Sequence, residues 1–206
     1  MRPADEALKN YLTQITAMMA QVRKPDPTRY AGIQDYVLNE GALYRSEALD
    51  EEELAIVMAA AKLADERDGW GFEPKQCFSN AARLVFADES LELVYCEGVA
   101  QGSVMPVDHA WVTINDKVVD LTWRTLDGEG PRGLPKDHPF HDRIVGRIPD
   151  GRAYMGVGFD SIYLQKRVSA TKTFLSLIDD YQAGWPLLDR DDAPEPNPLT
   201  NSELSS

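Results

Sequence analysis

The sequence predicts an α+β fold: helices first, then a central helix, then strands paired antiparallel. Three observations predict it. Apolar residues recur at helical spacing through the N-terminal part of the chain. From Leu91 onward the pattern changes to short β-rich runs. Within those runs, "HAWVTINDKVVDLTW" sets a turn signal, Asn115-Asp116, between two strand-like stretches. No internal repeat is visible.

Each element has its own reason. Between Ala4 and Arg23, Leu8, Tyr11, Leu12, Ile15, Met18, Met19 and Val22 mark one helix face. The prolines of "KPDPTRY" end it. Tyr30 to Arg45 stays open between loop and short helix. Asp50 followed by Glu51, Glu52 and Glu53 predicts a capped helix start, since a side-chain acceptor and negative charge suit free N–H groups. That helix should reach about Arg67 and stop at Gly69. Pro74 to Asp88 reads as the next helix, with Phe78, Ala81, Ala82, Leu84, Val85 and Phe86 as a broad apolar stripe. "LELVYCEGVA" is a strand, followed by the two strands of the Asn115-Asp116 hairpin. Residues 125–150, dense in Gly, Pro, Asp and Arg, read as one long loop. "AYMGVGFDSIYLQKRV" returns to β character, and its glycines suggest a bulge or close backbone approach. Thr171 to Tyr181 reads as an amphipathic helix. The expected organisation is one domain over 1–188, with a helical part (1–68) and a catalytic core (69–188), and a disordered acidic tail over 189–206.

The chain has 206 residues, 43% of them hydrophobic, and a net charge of −13. Such an acidic surface repels phosphate backbones and anionic lipid, so neither nucleic acid nor membrane is an expected partner. It also disfavours acidic substrates. "MRPADEALKN" lacks the apolar core of an export signal, so a cytoplasmic location is expected. There are two cysteines, Cys77 and Cys96, read as thiols in a reducing compartment.

The cysteines are not equivalent. Cys77 falls at the start of a predicted helix, where free N–H groups and the macrodipole favour a thiolate. Cys96 falls mid-strand among Leu, Val and Tyr, where a buried neutral thiol is expected. Cys77 is therefore the candidate nucleophile, although it also suits a small apolar contact between helix and sheet. His109 and Asp120 lie on the two hairpin strands. With Asn115 and Asp116 as the loop, Ile114 pairs with Lys117, and Asp120 lies diagonally from His109 on one face. With Ile114 and Asn115 as the loop, the two are directly opposite; a three-residue loop would put them on opposite faces unless a bulge intervenes. An acid is disfavoured inside a strand, so Asp120 asks for a role. An imidazole oriented by a carboxylate can take and return a thiol proton. The Cys77 N–H is one oxyanion donor by position. Gln76, Gln34 and Tyr36 are the candidate second donors. Trp70, Trp111, Trp123 and Trp185 are candidates to line a cleft. Trp111 is the best of them, because it shares the His109 face. His138 and His141 in "DHPFHD" read as a solvated loop rather than a metal site, and no metal or cofactor is expected.

"KQCFSNAARL" followed by "HAWVTINDKVVDLTW" resembles the transglutaminase-like cysteine enzymes of the broad papain-like group. The resemblance spans residues 75–124. It implies a cysteine at the start of a buried helix, often after Gln, a histidine in the "HAW" strand and an aspartate in the following strand: here Cys77, His109 and Asp120. The chain is also similar to compact bacterial or phage proteins with a later "Y-x-G-V-x-F", here Tyr154 to Phe159. The resemblance implies a papain-like fold of transglutaminase type and acyl transfer through a Cys77 thioester. The expected partner is a protein or peptide substrate, or a small amide. Water as acceptor makes a protease or amidase, and an amine makes a cross-linking enzyme. A non-catalytic binding or assembly protein on the same fold is the alternative from another class. Asp120→Asn, nearly isosteric, is expected to lower activity and leave the melting temperature close to wild type.

Overall fold

Five α-helices and a six-stranded antiparallel sheet make up the computed structural model, which describes residues 1–22, 26–69 and 71–189. Trp70 and the expected tail from 190 onward lie outside the described residues. Asp189 is described, and its carboxylate pairs with Arg29 at 3.0 Å.

The helical part comes first, as expected. Helix α1 spans Pro3–Val22 and buries Leu8 and Leu12. The undecided stretch resolves into α2 (Ile33–Glu40) and a short strand β1 (Ala42–Leu43). Helix α3 (Glu51–Asp68) starts in a capping box: Asp50 accepts from the Glu53 N–H at 2.9 Å, and Glu53 accepts from the Asp50 N–H at 2.8 Å. Gly69 closes it in the left-handed conformation. Glu53 does more than cap. It also accepts from Asn115 Nδ2 at 2.9 Å and from Lys117 Nζ at 2.7 Å, so the start of α3 grips the hairpin tip.

Helix α4 (Cys77–Phe86) packs on the sheet, whose order is β1-β6-β2-β3-β4-β5. Strands β2 (Val94–Gln101), β3 (Pro106–Ile114), β4 (Lys117–Arg124) and β5 (Arg143–Gly146) form a meander, and β6 (Tyr154–Phe159) returns beside β2. The β3–β4 turn uses Asn115 and Asp116, both at positive φ (49° and 61°), as a twist-matched two-residue hairpin requires. Ile114 pairs with Lys117, Thr113 with Val118 and Val112 with Val119, the first of the two expected registers.

The sheet has a core on each face. On one, Ala110, Val112, Ile114, Val119 and Leu121 pack with Ala81, Leu84 and Val85 of α4 and with the other helices. On the other, Cys96, Trp111, Val118, Ile144 and Tyr154 pack with Tyr44. The sheet curls around this second core: beyond β1, Arg45 bridges to Lys117 of β4, and Gly146 of β5 abuts the backbone of residues 47–49. Gly98 and Gly156 face each other across β2 and β6. A Cβ on Gly156 would sit 2.7 Å from Trp111 Cη2, so this glycine makes room for the indole.

Three expected elements differ. The 125–150 loop contains β5, whose four residues are all buried. It is too short to stand out among flanking Gly, Pro and charged residues. The β character read through "DSIYLQKRV" ends at Phe159. Asp160 accepts from the Ile162 and Tyr163 N–H groups at 2.8 and 3.1 Å and starts helix α5 (Ser161–Thr171). The expected helix over Thr171 to Tyr181 is not formed. Lys172 ends α5 at φ 58°, and the amides of Leu177 and Ile178 turn instead to a buried carboxylate, Glu97. Among the described residues no helix is long and apolar enough to cross a membrane.

Candidate active site

The chain enters α4 through a sharp reversal, with Lys75 at φ 67°. Gln76 is the N-cap and Cys77 the first helical residue. Gln76 makes no capping bond with its side chain, unlike Asp50 and Asp160 at the starts of α3 and α5. The first amides of α4 are therefore left without a side-chain acceptor from their N-cap. Cys77 is 8% exposed. One turn on, Asn80 fixes the helix in place. Its Nδ2 donates to Glu73 O at 2.8 Å and to Thr122 Oγ1 of β4 at 2.7 Å. Arg143 of β5 donates to Thr122 O at 3.0 Å and to Phe72 O at 3.4 Å, tying the approach to α4 to the same part of β4.

The hairpin opens where the chemistry sits. The β3–β4 pairing extends from the turn to Val112↔Val119, and the β4–β5 register shifts between Asp120 and Arg124. In that irregular stretch Asp120 Oδ1 accepts from the N–H groups of Thr122 (2.9 Å) and Trp123 (3.1 Å). Asp120 Oδ2 accepts from His109 Nε2 at 2.8 Å and from the Tyr154 hydroxyl at 2.7 Å. His109 and Asp120 are both buried. With Nε2 engaged by Asp120, Nδ1 is the nitrogen left for the Cys77 thiol, which lies close enough to help raise the imidazole. Thus α4, β3 and β4 bring Cys77, His109 and Asp120 into one chain of contacts.

Burial opposes charge on His109, but the Asp120 carboxylate, its hydrogen bond and the Cys77 contact outweigh this and push the imidazole up to about 9. Burial also pushes Asp120 up. The His109 charge and the bonds from His109, Tyr154 and Trp123 reverse that and hold it below its ordinary value. At neutral pH the pair is imidazolium and carboxylate. Cys96 contrasts with this: burial pushes its thiol up to about 12, and it is fully enclosed in the second core.

The tryptophan expected at a cleft is corrected. Trp111 is 1% exposed, and its ring fills the second core against Tyr44 and Tyr154, so no substrate can reach it. The alternation that puts it on the His109 face is right, but that face is enclosed. Trp123 is the indole at the site. The irregularity after Asp120 turns it onto His109, with ring centroids 4.1 Å apart and planes 20° apart. Arg152 lies over the Trp123 ring at 4.4 Å. Gln76 is exposed beside Cys77. Gln34 Nε2 donates to Asp108 at 3.2 Å, which places it next to the residue preceding His109 and commits one of its N–H groups. Tyr36 is buried and stacks edge-on with Tyr30.

Sequence reasoning assigned no role to Tyr154, Asn80 or Arg152. Tyr154 lies in a run already marked as distinctive, but a strand tyrosine gives no sign of which carboxylate it will meet. His138 accepts from the Phe140 N–H at 3.2 Å within its own loop. Among the described residues no three His, Cys, Asp or Glu side chains gather as metal ligands.

The chain matches no family model, no curated protein and no solved structure.

Proposed function

We propose that this protein carries out thiol-dependent acyl transfer, hydrolysing a peptide, isopeptide or amide bond through a Cys77 thioester. The observation that carries the reading is the buried chain Cys77–His109–Asp120, with His109 pushed up to about 9 by its carboxylate. A protonated imidazole beside a thiol is the partner that a thiolate nucleophile needs. The domain is read as papain-like in the transglutaminase manner, with α4 as the central helix.

The steps follow from the groups present. Cys77 Sγ attacks the substrate carbonyl carbon, and the oxyanion faces the amides at the start of α4, with the Cys77 N–H as first donor. As the C–N bond breaks, His109 gives its proton to the leaving amine, and the acyl group stays on sulfur. Water then attacks the thioester, His109 takes a proton from it, the C–S bond breaks, and the carboxylic acid leaves with the Cys77 thiolate and the imidazolium restored. An amine in place of water would make the same thioester a cross-linking intermediate. Asp120 keeps the imidazole oriented throughout and stays ionised.

The test is covalent. A peptide acyloxymethyl ketone or vinyl sulfone panel, which leaves a stable thioether and is read by intact and peptide mass spectrometry, should leave an adduct on Cys77 in wild type and none in Cys77→Ala. His109→Ala should lose the adduct while remaining folded. If Cys77 reacts no faster than a free cysteine in unfolded protein, the site is idle and the chain is a binding or assembly protein.

A further inference from the structure

A cleft of about 430 Å³ lies between the chain leaving β4 and the chain entering β6. It connects to the candidate site through one stack of side chains. Arg152 lines it, and the same guanidinium rests on Trp123, which stacks on His109.

One side chain in the cleft lacks the partner its chemistry calls for. Arg152, half-buried, has no carboxylate within ion-pair distance among the described residues. The acids around the cleft, Asp127, Glu129 and Asp150, are exposed, and Glu129 already faces Arg147 at 4.0 Å. Exposed charges are screened by water and salt, whereas one held against an indole in a cleft acts at lower effective dielectric. Arg152 is the point in the cleft that favours an anion, although the rim and the chain as a whole are acidic. The rim adds an apolar wall: Leu126 lines the cleft and is 87% exposed, and Val104, next to the lining residue Ser103, is 92% exposed. Exposed apolar side chains beside a polar cleft suit a polypeptide with alternating character.

We propose that this cleft is the subsite that seats a carboxylate of a peptide acyl donor, with Arg152 as the residue that determines specificity. The proposal rests on the acyl-transfer reading of Cys77. A side-chain carboxylate next to the scissile carbonyl and a C-terminal carboxylate one residue away present the same chemistry to Arg152, with two oxygens for its planar fork.

The test separates this from the catalytic reading by using the full chain as Cys77→Ala, which binds without turning over. Four N-acetyl tetrapeptides serve as probes: one with Glu and an amidated end, its Gln counterpart, one with Gln and a free C-terminal carboxylate, and one with Ala and an amidated end. Binding is followed by the NMR signals of Arg152 Nε–H and Trp123 Nε1–H at moderate salt. One or both acid-bearing peptides should bind about tenfold or more tightly than their neutral counterparts. Arg152→Gln should erase that preference with an unchanged melting temperature, and Arg152→Lys should keep part of it. Equal binding of all four, no binding by any, or a preference that survives Arg152→Gln overturns the proposal. A preserved acid preference together with no Cys77 adduct in wild type would instead overturn the acyl-transfer reading and leave Arg152 as the anion contact of a binding protein.

Discussion

Asp120 accepts from four donors, and this changes what its replacement by asparagine should do. The amide NH₂ cannot face the Thr122 and Trp123 N–H groups, so it must face His109 and Tyr154. The tyrosine hydroxyl can rotate to accept. His109 must then give up its Nε2 proton and carry one on Nδ1, the nitrogen left for Cys77. That tautomer cannot take a proton from the thiol. The equivalent change in a serine triad costs about four orders of magnitude, and a thiol leans less on its base. Asp120→Asn should therefore lower kcat/KM by about ten- to a thousand-fold. It should also destabilise the fold by about 1–3 kcal/mol, against the near-isosteric expectation of unchanged melting. Urea unfolding and steady-state kinetics on one preparation check both. His109 sets the pH behaviour. Its folded value, about 9, lies above the ordinary 6.5, so its charge stabilises the fold fully below pH 6.5. That contribution is lost as pH rises through about 9. The expected outcomes are stability falling across this window, an alkaline limb of activity near 9, and a downward shift of that limb in Asp120→Asn. A flat profile from pH 6 to 10 would remove His109 from the site.

Among the elements, those legible in the sequence are the ones whose signal is local. Helix α3 is written in Asp50 and Glu53, and the hairpin register in Asn115-Asp116. The elements that escaped are set by distant partners. Residues 173–180 have helical spacing, yet their conformation follows Glu97, a fully buried carboxylate on β2. It accepts from Tyr95 Oη (2.6 Å), Ser176 Oγ (2.7 Å) and the Leu177 and Ile178 amides. Burial pushes Glu97 up, and these donors hold it back. Nothing in "VYCEGVA" says that a strand glutamate will anchor a segment eighty residues on. Glu97→Ala should leave those amides without acceptors and destabilise by about 2–5 kcal/mol. Glu97→Gln, which keeps one carbonyl, should cost less. Hydrogen exchange at Leu177 and Ile178 should rise in the Ala variant before the β3–β4 hairpin is affected. Uniform acceleration across the sheet would mean that Glu97 supports the whole core instead.

At the scale of the molecule, alternation along β3 and β4 shows which residues share a face, and it located His109 and Asp120 together. It does not show that the Trp111 face is closed by the curl of the sheet, because the bridge from Arg45 to Lys117 joins segments far apart in sequence. The two thiols report on that architecture. Iodoacetamide should modify Cys77 in the native protein, while Cys96, pushed up to about 12 and fully enclosed, should react only at the rate of global unfolding. Peptide mapping along a urea series should show the two labelled in separate ranges. The Trp123–His109 stack also gives the protein an optical property. An imidazolium quenches an indole excited state by accepting an electron, and neutral imidazole does so far less. Emission should therefore brighten as pH rises through about 9, and Trp123→Phe should remove most of the change, making the proton on His109 visible as light without substrate.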